Sequence, residues 1–119
     1  MKNIMIVDDD DYIQELLKNR LEANGYKVSL AEDGLQALSQ IKNKRPDMIL
    51  LDVYMPHLDG LSFFHELSSD RELRDIPVLV MTGIKNMEDV FASTRVAKFI
   101  TKPFDSKELL KTIKSCVGR

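Results

Sequence analysis

Ile4-Met5-Ile6-Val7, followed at once by Asp8-Asp9-Asp10-Asp11, carries the reading from which the fold follows. Four apolar residues with no polar alternation fit a strand buried on both faces, as in a parallel sheet covered by helices on each side. Four carboxylates directly after it mark the point where the chain leaves the interior. Two further stretches repeat the pattern: Met48-Ile49-Leu50-Leu51 ends in Asp52, and Val78-Leu79-Val80-Met81 ends in Thr82-Gly83. These three runs are the expected central strands. Tyr26, Val28 and Leu30 alternate instead with Lys27 and Ser29, and Phe99-Ile100 after Lys98 is short and mixed, so both read as edge strands.

Helical patterns fill the intervals. Ile13, Leu16, Leu17 and Leu21 share one face, and with Gly25 at the C-terminal cap they predict a helix over about residues 11–24. Leu35, Leu38 and Ile41 predict a second helix closed by Pro46, and Leu61, Phe64 and Leu67 a third after Asp59-Gly60. Met87, Val90 and Phe91 form a short fourth stripe behind Asn86. Asp105-Ser106-Lys107-Glu108 is a capping-box pattern ahead of Leu109, Ile113 and Val117. Five strand-then-helix units joined by short connections imply an α/β fold, a doubly wound (βα)5 flavodoxin-like parallel sheet. The two edge strands, second and fifth, set the order 2-1-3-4-5.

Composition narrows the class. The 119 residues are 44% hydrophobic and 30% charged, enough for one core, so a single domain over residues 1–119 is expected. Seventeen Lys and Arg against nineteen Asp and Glu give a net charge of -2, which supplies no drive toward nucleic-acid phosphates. Cys116 alone makes no internal disulfide, and His57 and His65 are isolated, so no zinc set exists. The apolar run before Asp8 is too short for a signal-peptide core and no run approaches membrane-spanning length. A cytoplasmic location without membrane contact is the expectation.

In a sheet of this order, ligands bind beyond the carboxyl ends of the strands. Strands one and three are neighbours there, which brings Asp8, Asp9 and Asp52 together. Two carboxylates ~4 Å apart repel by about 4 kcal/mol at an effective dielectric of 20, so three together need a neutralising cation or proton. Oxygen donors without nitrogen or sulfur favour Mg²⁺ or Mn²⁺, and Mg²⁺ takes few carboxylates and keeps room for a phosphate. Asp10 or Asp11 is accounted for as the cap of the first helix. Asp52 is not, because a carboxylate directly after buried apolar residues on a central strand is costly. On the same rim, Thr82 offers a hydroxyl and Lys102, fixed by a constrained turn at Pro103, a cation for phosphoryl oxygens.

Ile6-Val7-Asp8-Asp9-Asp10, Leu51-Asp52-Val53-Tyr54-Met55-Pro56-His57-Leu58-Asp59-Gly60, Val80-Met81-Thr82-Gly83 and Phe99-Ile100-Thr101-Lys102-Pro103-Phe104 closely resemble the receiver domain of two-component response regulators. The resemblance covers the whole chain. It implies that Asp52 is the phosphoacceptor, Asp9 a direct Mg²⁺ ligand, Asp8 a ligand through water, and the Tyr54 backbone carbonyl a further ligand. It also implies that the Thr82 hydroxyl moves toward the phosphoryl group, Lys102 pairs with it, and Phe99 changes rotamer. The phosphoryl donor would be a phosphohistidine on a sensor histidine kinase or a histidine phosphotransfer protein. The output would be a protein target read by the fourth helical stripe, the fifth strand and the last helix.

Two features depart from the family pattern. The stretch from Thr82 to Lys102 is slightly short, and Arg95-Val96 stands where Gly-Ala is common. Tyr54 and Ile84, two positions after Asp52 and Thr82, are expected to tune the lifetime of the phosphoryl group, since neither readily orients a hydrolytic water. Two rival readings exist. Asp8-Asp9-Asp10-Asp11-Tyr12 contains the nucleophile-x-acid pattern of haloacid-dehalogenase-type phosphatases, but that family needs Thr or Val in place of Tyr12 and an acidic segment in place of Thr82-Gly83. A non-phosphorylated interaction module is disfavoured because every active-site residue type is retained.

Overall fold

The three apolar runs form the middle of the sheet. A computed structural model describes residues 2–52, 60–82, 98–101 and 105–117. In it β1 (Asn3–Val7), β3 (Met48–Asp52) and β4 (Val78–Thr82) lie side by side, with β2 (Lys27–Ala31) and β5 (Lys98–Thr101) outside them. All pairings are parallel and the order is β2-β1-β3-β4-β5, as the edge-strand patterns predicted. β1 and β3 are buried at every residue, whereas β2 runs from exposed Lys27 through half-buried Val28, Ser29 and Leu30.

Strand parity divides the core into two layers. Met5, Val7, Ile49, Leu51, Val78 and Val80 pack with α2 (Gly34–Asn43) and α3 (Gly60–Ser69) through Ala37, Ile41, Phe63 and Leu67. Ile4, Ile6, Met48, Leu50, Leu79 and Met81 face the other way, onto α1 (Asp11–Ala23) and α4 (Ser106–Val117) through Leu17, Leu21, Leu109 and Ile113. The stripe at Met87, Val90 and Phe91 lies outside the described residues, so α4 is the last helix of the sequence reading. Leu73 and Ile76, in the connection after α3, are buried as well.

Helix ends follow local chemistry. α1 closes where Gly25 takes φ +89°, a conformation that an L side chain adopts only with strain. The Gly25 N–H donates to the Glu22 carbonyl and the Tyr26 N–H to the Leu21 carbonyl, each at 3.1 Å, which is the bond pair of a Schellman motif. Tyr26 and Leu21, the two residues between which that motif customarily makes an apolar contact, are both buried in the core layer on this side of the sheet. Asp33 caps α2 by accepting from the Gln36 N–H at 2.8 Å, and Asp105 caps α4 by accepting from the Glu108 N–H at 2.7 Å.

Two apolar residues assigned to helix faces sit differently. Leu16 is 38% exposed and Leu35 59% exposed. On α1 the buried stripe runs through Leu17 and Leu21 and is completed toward the N-terminus by Gln14, a polar side chain that is itself buried.

Candidate functional site

Register and parity together explain why the acidic residues converge. Val7 pairs with Leu51, so one step further along the two strands Asp8 comes opposite Asp52. Asp8 has the parity of Ile4 and Ile6, and Asp52 that of Met48 and Leu50, so both belong to the α1/α4 side of the sheet. Asp8 is fully buried, Asp52 is 8% exposed, and Asp9 is exposed. Carboxylate oxygens of Asp8, Asp9 and Asp52 lie within 4.8 Å of one another.

The aspartates that follow β1 divide their work. The Asp8 N–H donates to the Ala31 carbonyl at 3.1 Å, continuing the β1–β2 ladder by one step. Asp8 Oδ1 then accepts from the Asp10 N–H at 2.9 Å, which folds the chain sharply toward α1. Asp10 caps that helix, its Oδ1 accepting from the N–H groups of Tyr12 at 2.9 Å and Ile13 at 3.3 Å. Asp11 lies in the first turn, where negative charge suits the helix dipole. The start of α1 thus accounts for Asp10, as its cap, and Asp11, in its first turn, and leaves Asp8, Asp9 and Asp52 as the cluster.

The donor set fits a hard divalent cation. It consists of carboxylate oxygens, from two buried residues and one open to solvent, at a spacing that one ion can bridge. Thr82 ends β4 opposite Thr101 of β5, and Asp52 is in register with Met81, so Thr82 stands on the same rim, one step past the neighbour of Asp52. Phe99 is on β5 opposite Val80. Lys102, Pro103, Tyr54 and Ile84 lie outside the described residues.

Gln14 is absent from the sequence reading of the site. Its side-chain nitrogen donates to the carbonyls of Asp8 at 2.6 Å and Ala31 at 2.9 Å. One signal was available: Gln14 is three and seven residues before Leu17 and Leu21, so a polar group occupies the buried stripe.

A five-stranded parallel sheet with an acidic cluster at the carboxyl ends of its first and third strands defines a receiver-type α/β module. The sequence profile of the response regulator receiver domain matches residues 4–114. The chain belongs to that family. It is 40% identical over 118 residues to the response regulator MprA of Mycobacterium sp. (strain KMS), covering 98% of this chain and 50% of that protein. The chain therefore spans about half the length of the curated relatives it matches.

Solved structures agree with the fold and bear on the cation. The receiver domain of sensor histidine kinase PA1611 from Pseudomonas aeruginosa PAO1, with a magnesium ion coordinated in its active-site cleft, superposes with a TM-score of 0.90 at 28% identity, covering 99% of this chain and 98% of that one. The response regulator TrrA from Thermotoga maritima, in complex with Mg²⁺ and BeF, gives a TM-score of 0.88 at 30% identity, covering 98% and 99%. Among the described residues, no helix is long and apolar enough to cross a membrane.

Proposed function

We propose that this chain works as one receiver domain over residues 1–119, in the cytoplasm, and that Asp52 accepts a phosphoryl group from a phosphohistidine on a sensor kinase or a histidine phosphotransfer protein. The observation that carries this reading is the convergence of Asp8 and Asp9 on Asp52, the carboxylate that terminates a central strand. An Asp52 carboxylate oxygen attacks phosphorus, the P–N bond breaks, and its electron pair returns to the imidazole, which takes a proton from solvent. Asp8, Asp9, Asp52 and the Tyr54 carbonyl would hold Mg²⁺, or Mn²⁺ in its place, which when bound neutralises charge on the phosphoryl oxygens. Lys102 pairs with one of those oxygens and the Thr82 hydroxyl donates to another.

Acetyl phosphate with Mg²⁺, read by intact mass, tests this directly: one phosphoryl adduct per chain is expected. Continuous phosphate release without an adduct would point to a phosphatase, and no reaction to an interaction module.

The phosphoryl group carries ~1.5–2 negative charges beside Thr82 in place of the single charge of the Asp52 carboxylate, and brings acceptor oxygens that the carboxylate lacked. Thr82 turns toward it, Phe99 follows, and the face made by the fourth helical stripe, β5 and α4 changes for a downstream protein target. Shifting such an equilibrium from 1:99 to 99:1 takes about 5.5 kcal/mol of differential interaction. Beryllofluoride, in the place of the phosphoryl group, is expected to move NMR signals of Phe99 and α4. Shifts confined to residues 8, 9 and 52 would remove the coupling from this reading.

Slow loss of the phosphoryl group follows from Tyr54 and Ile84. A water must align with phosphorus, and Ile84 cannot hydrogen-bond it while Tyr54 is bulky. The combined variant Tyr54→Asn, Ile84→Glu is expected to shorten the lifetime of the adduct several-fold. An unchanged decay at saturating Mg²⁺ would mean that the two side chains only shape a docking surface.

A further inference from the structure

Gln14 is 6% exposed, and its side-chain nitrogen donates to the backbone carbonyls of Asp8 and Ala31 at 2.6 and 2.9 Å. A carboxamide nitrogen carries two hydrogens, so both are spent on these two carbonyls. The side chain thereby joins α1 to the point where β1 and β2 separate, and the Ala31 carbonyl it reaches also accepts from the Asp8 N–H at 3.1 Å. Packing alone does not call for an amide here. The rest of the stripe, Leu17 and Leu21, is apolar, and burying an amide adds a desolvation cost that an apolar side chain avoids.

What the amide adds is a fixed carbonyl. The Asp8 carbonyl and the Asp9 N–H belong to one planar peptide unit, so holding its oxygen sets the orientation of both Cα atoms from which the two carboxylates depart. We propose that Gln14 is a positioning residue for the cation site, clamping the Asp8–Asp9 peptide so that both carboxylates meet Asp52. The inference rests on the proposed role of Asp8, Asp9 and Asp52 in holding a divalent cation. Groups that orient metal ligands without touching the metal typically contribute 10–100-fold in affinity.

Gln14→Met keeps the length and helix preference of the side chain and removes both donors. Titrated with MgCl₂ and followed by amide NMR shifts, the full chain carrying it is expected to bind Mg²⁺ about tenfold more weakly than wild type. In the metal-free protein, amide exchange is expected to accelerate selectively at Asp9 and Asp10. Leu17→Ala is the comparison, since it opens a cavity on the same stripe and leaves the Asp8 carbonyl bonded. Its Mg²⁺ affinity is expected to match wild type although its stability falls. Gln14→Asn, whose shorter amide does not span both carbonyls, repeats the test should the methionine variant fail to fold.

Wild-type affinity in a folded Gln14 variant would overturn the inference, and so would an equal loss in Leu17→Ala. Absence of Mg²⁺ binding by the wild-type chain would instead overturn the reading of the acidic cluster on which the inference depends.

Discussion

Asp52→Asn is expected to take up no phosphoryl group from acetyl phosphate and Mg²⁺ under conditions that label the wild-type chain. The amide has nearly the shape of the carboxylate, so the end of β3 and the packing of Leu50 and Leu51 beneath it are preserved. What disappears is the anionic oxygen that attacks phosphorus. Removal of a nucleophile costs about a thousandfold or more in rate, which intact mass registers as an absent adduct. Asp8 and Asp9 do not substitute in this scheme. Asp8 is fully buried, with Oδ1 engaged by the Asp10 N–H, and Asp9 is assigned to the cation. An adduct at the wild-type rate in Asp52→Asn, with the fold verified by circular dichroism, would show that the wrong carboxylate has been chosen.

The legible parts of the fold were those set by local pattern. Runs such as Met48-Ile49-Leu50-Leu51 announce a strand covered on both faces, because only there is every second side chain as apolar as its neighbour. Gly25 announced the end of α1 because the left-handed residue after a helix is the one place where lacking a Cβ matters most. The orientation of α1 was less legible. Its pattern gave Leu16 the same standing as Leu17, yet Leu16 is 38% exposed while Gln14 is buried. The reason is non-local: a buried amide is tolerated only if its donors are met, and one of its acceptors is Ala31, seventeen residues away in sequence.

The site divides in the same manner. That Asp52 meets Asp8 and Asp9 followed from strand order alone, since adjacent parallel strands bring their carboxyl ends together. The different burial of the aspartates after β1 did not follow from residue pattern, which singled out only the cap. Four identical side chains in succession differ only in the backbone that carries them, and it takes the turn closed by Asp10 N–H on Asp8 Oδ1 to make Asp8 buried, Asp9 open and Asp10 a cap.

Crowding of carboxylates has a consequence for stability that runs opposite to most substitutions at buried positions. Asp8 and Asp52 are both buried, and their oxygens, with those of Asp9, lie within 4.8 Å of one another. At that range a pair of negative charges repels by about 3 kcal/mol at an effective dielectric of 20. Asp8→Asn removes one charge and leaves an oxygen to accept from the Asp10 N–H, offset by the weaker hydrogen bond of a neutral acceptor. Without divalent cations the variant is therefore expected to be more stable than wild type, by about 1–2 kcal/mol in urea unfolding, or roughly 5 °C in Tm. Mg²⁺ reverses the order. A ligand at a hundred times its Kd stabilises the folded state by about 2.7 kcal/mol, and wild type, which keeps all three carboxylates, receives that in full while the variant receives less. Sodium chloride at matched ionic strength is expected to leave the gap largely in place, because screening acts weakly on buried charges. Metal-free Asp8→Asn less stable than wild type would mean that the cluster is held by the fold at no net electrostatic cost, and a wild-type chain whose Tm ignores Mg²⁺ would mean that the cluster does not bind the cation.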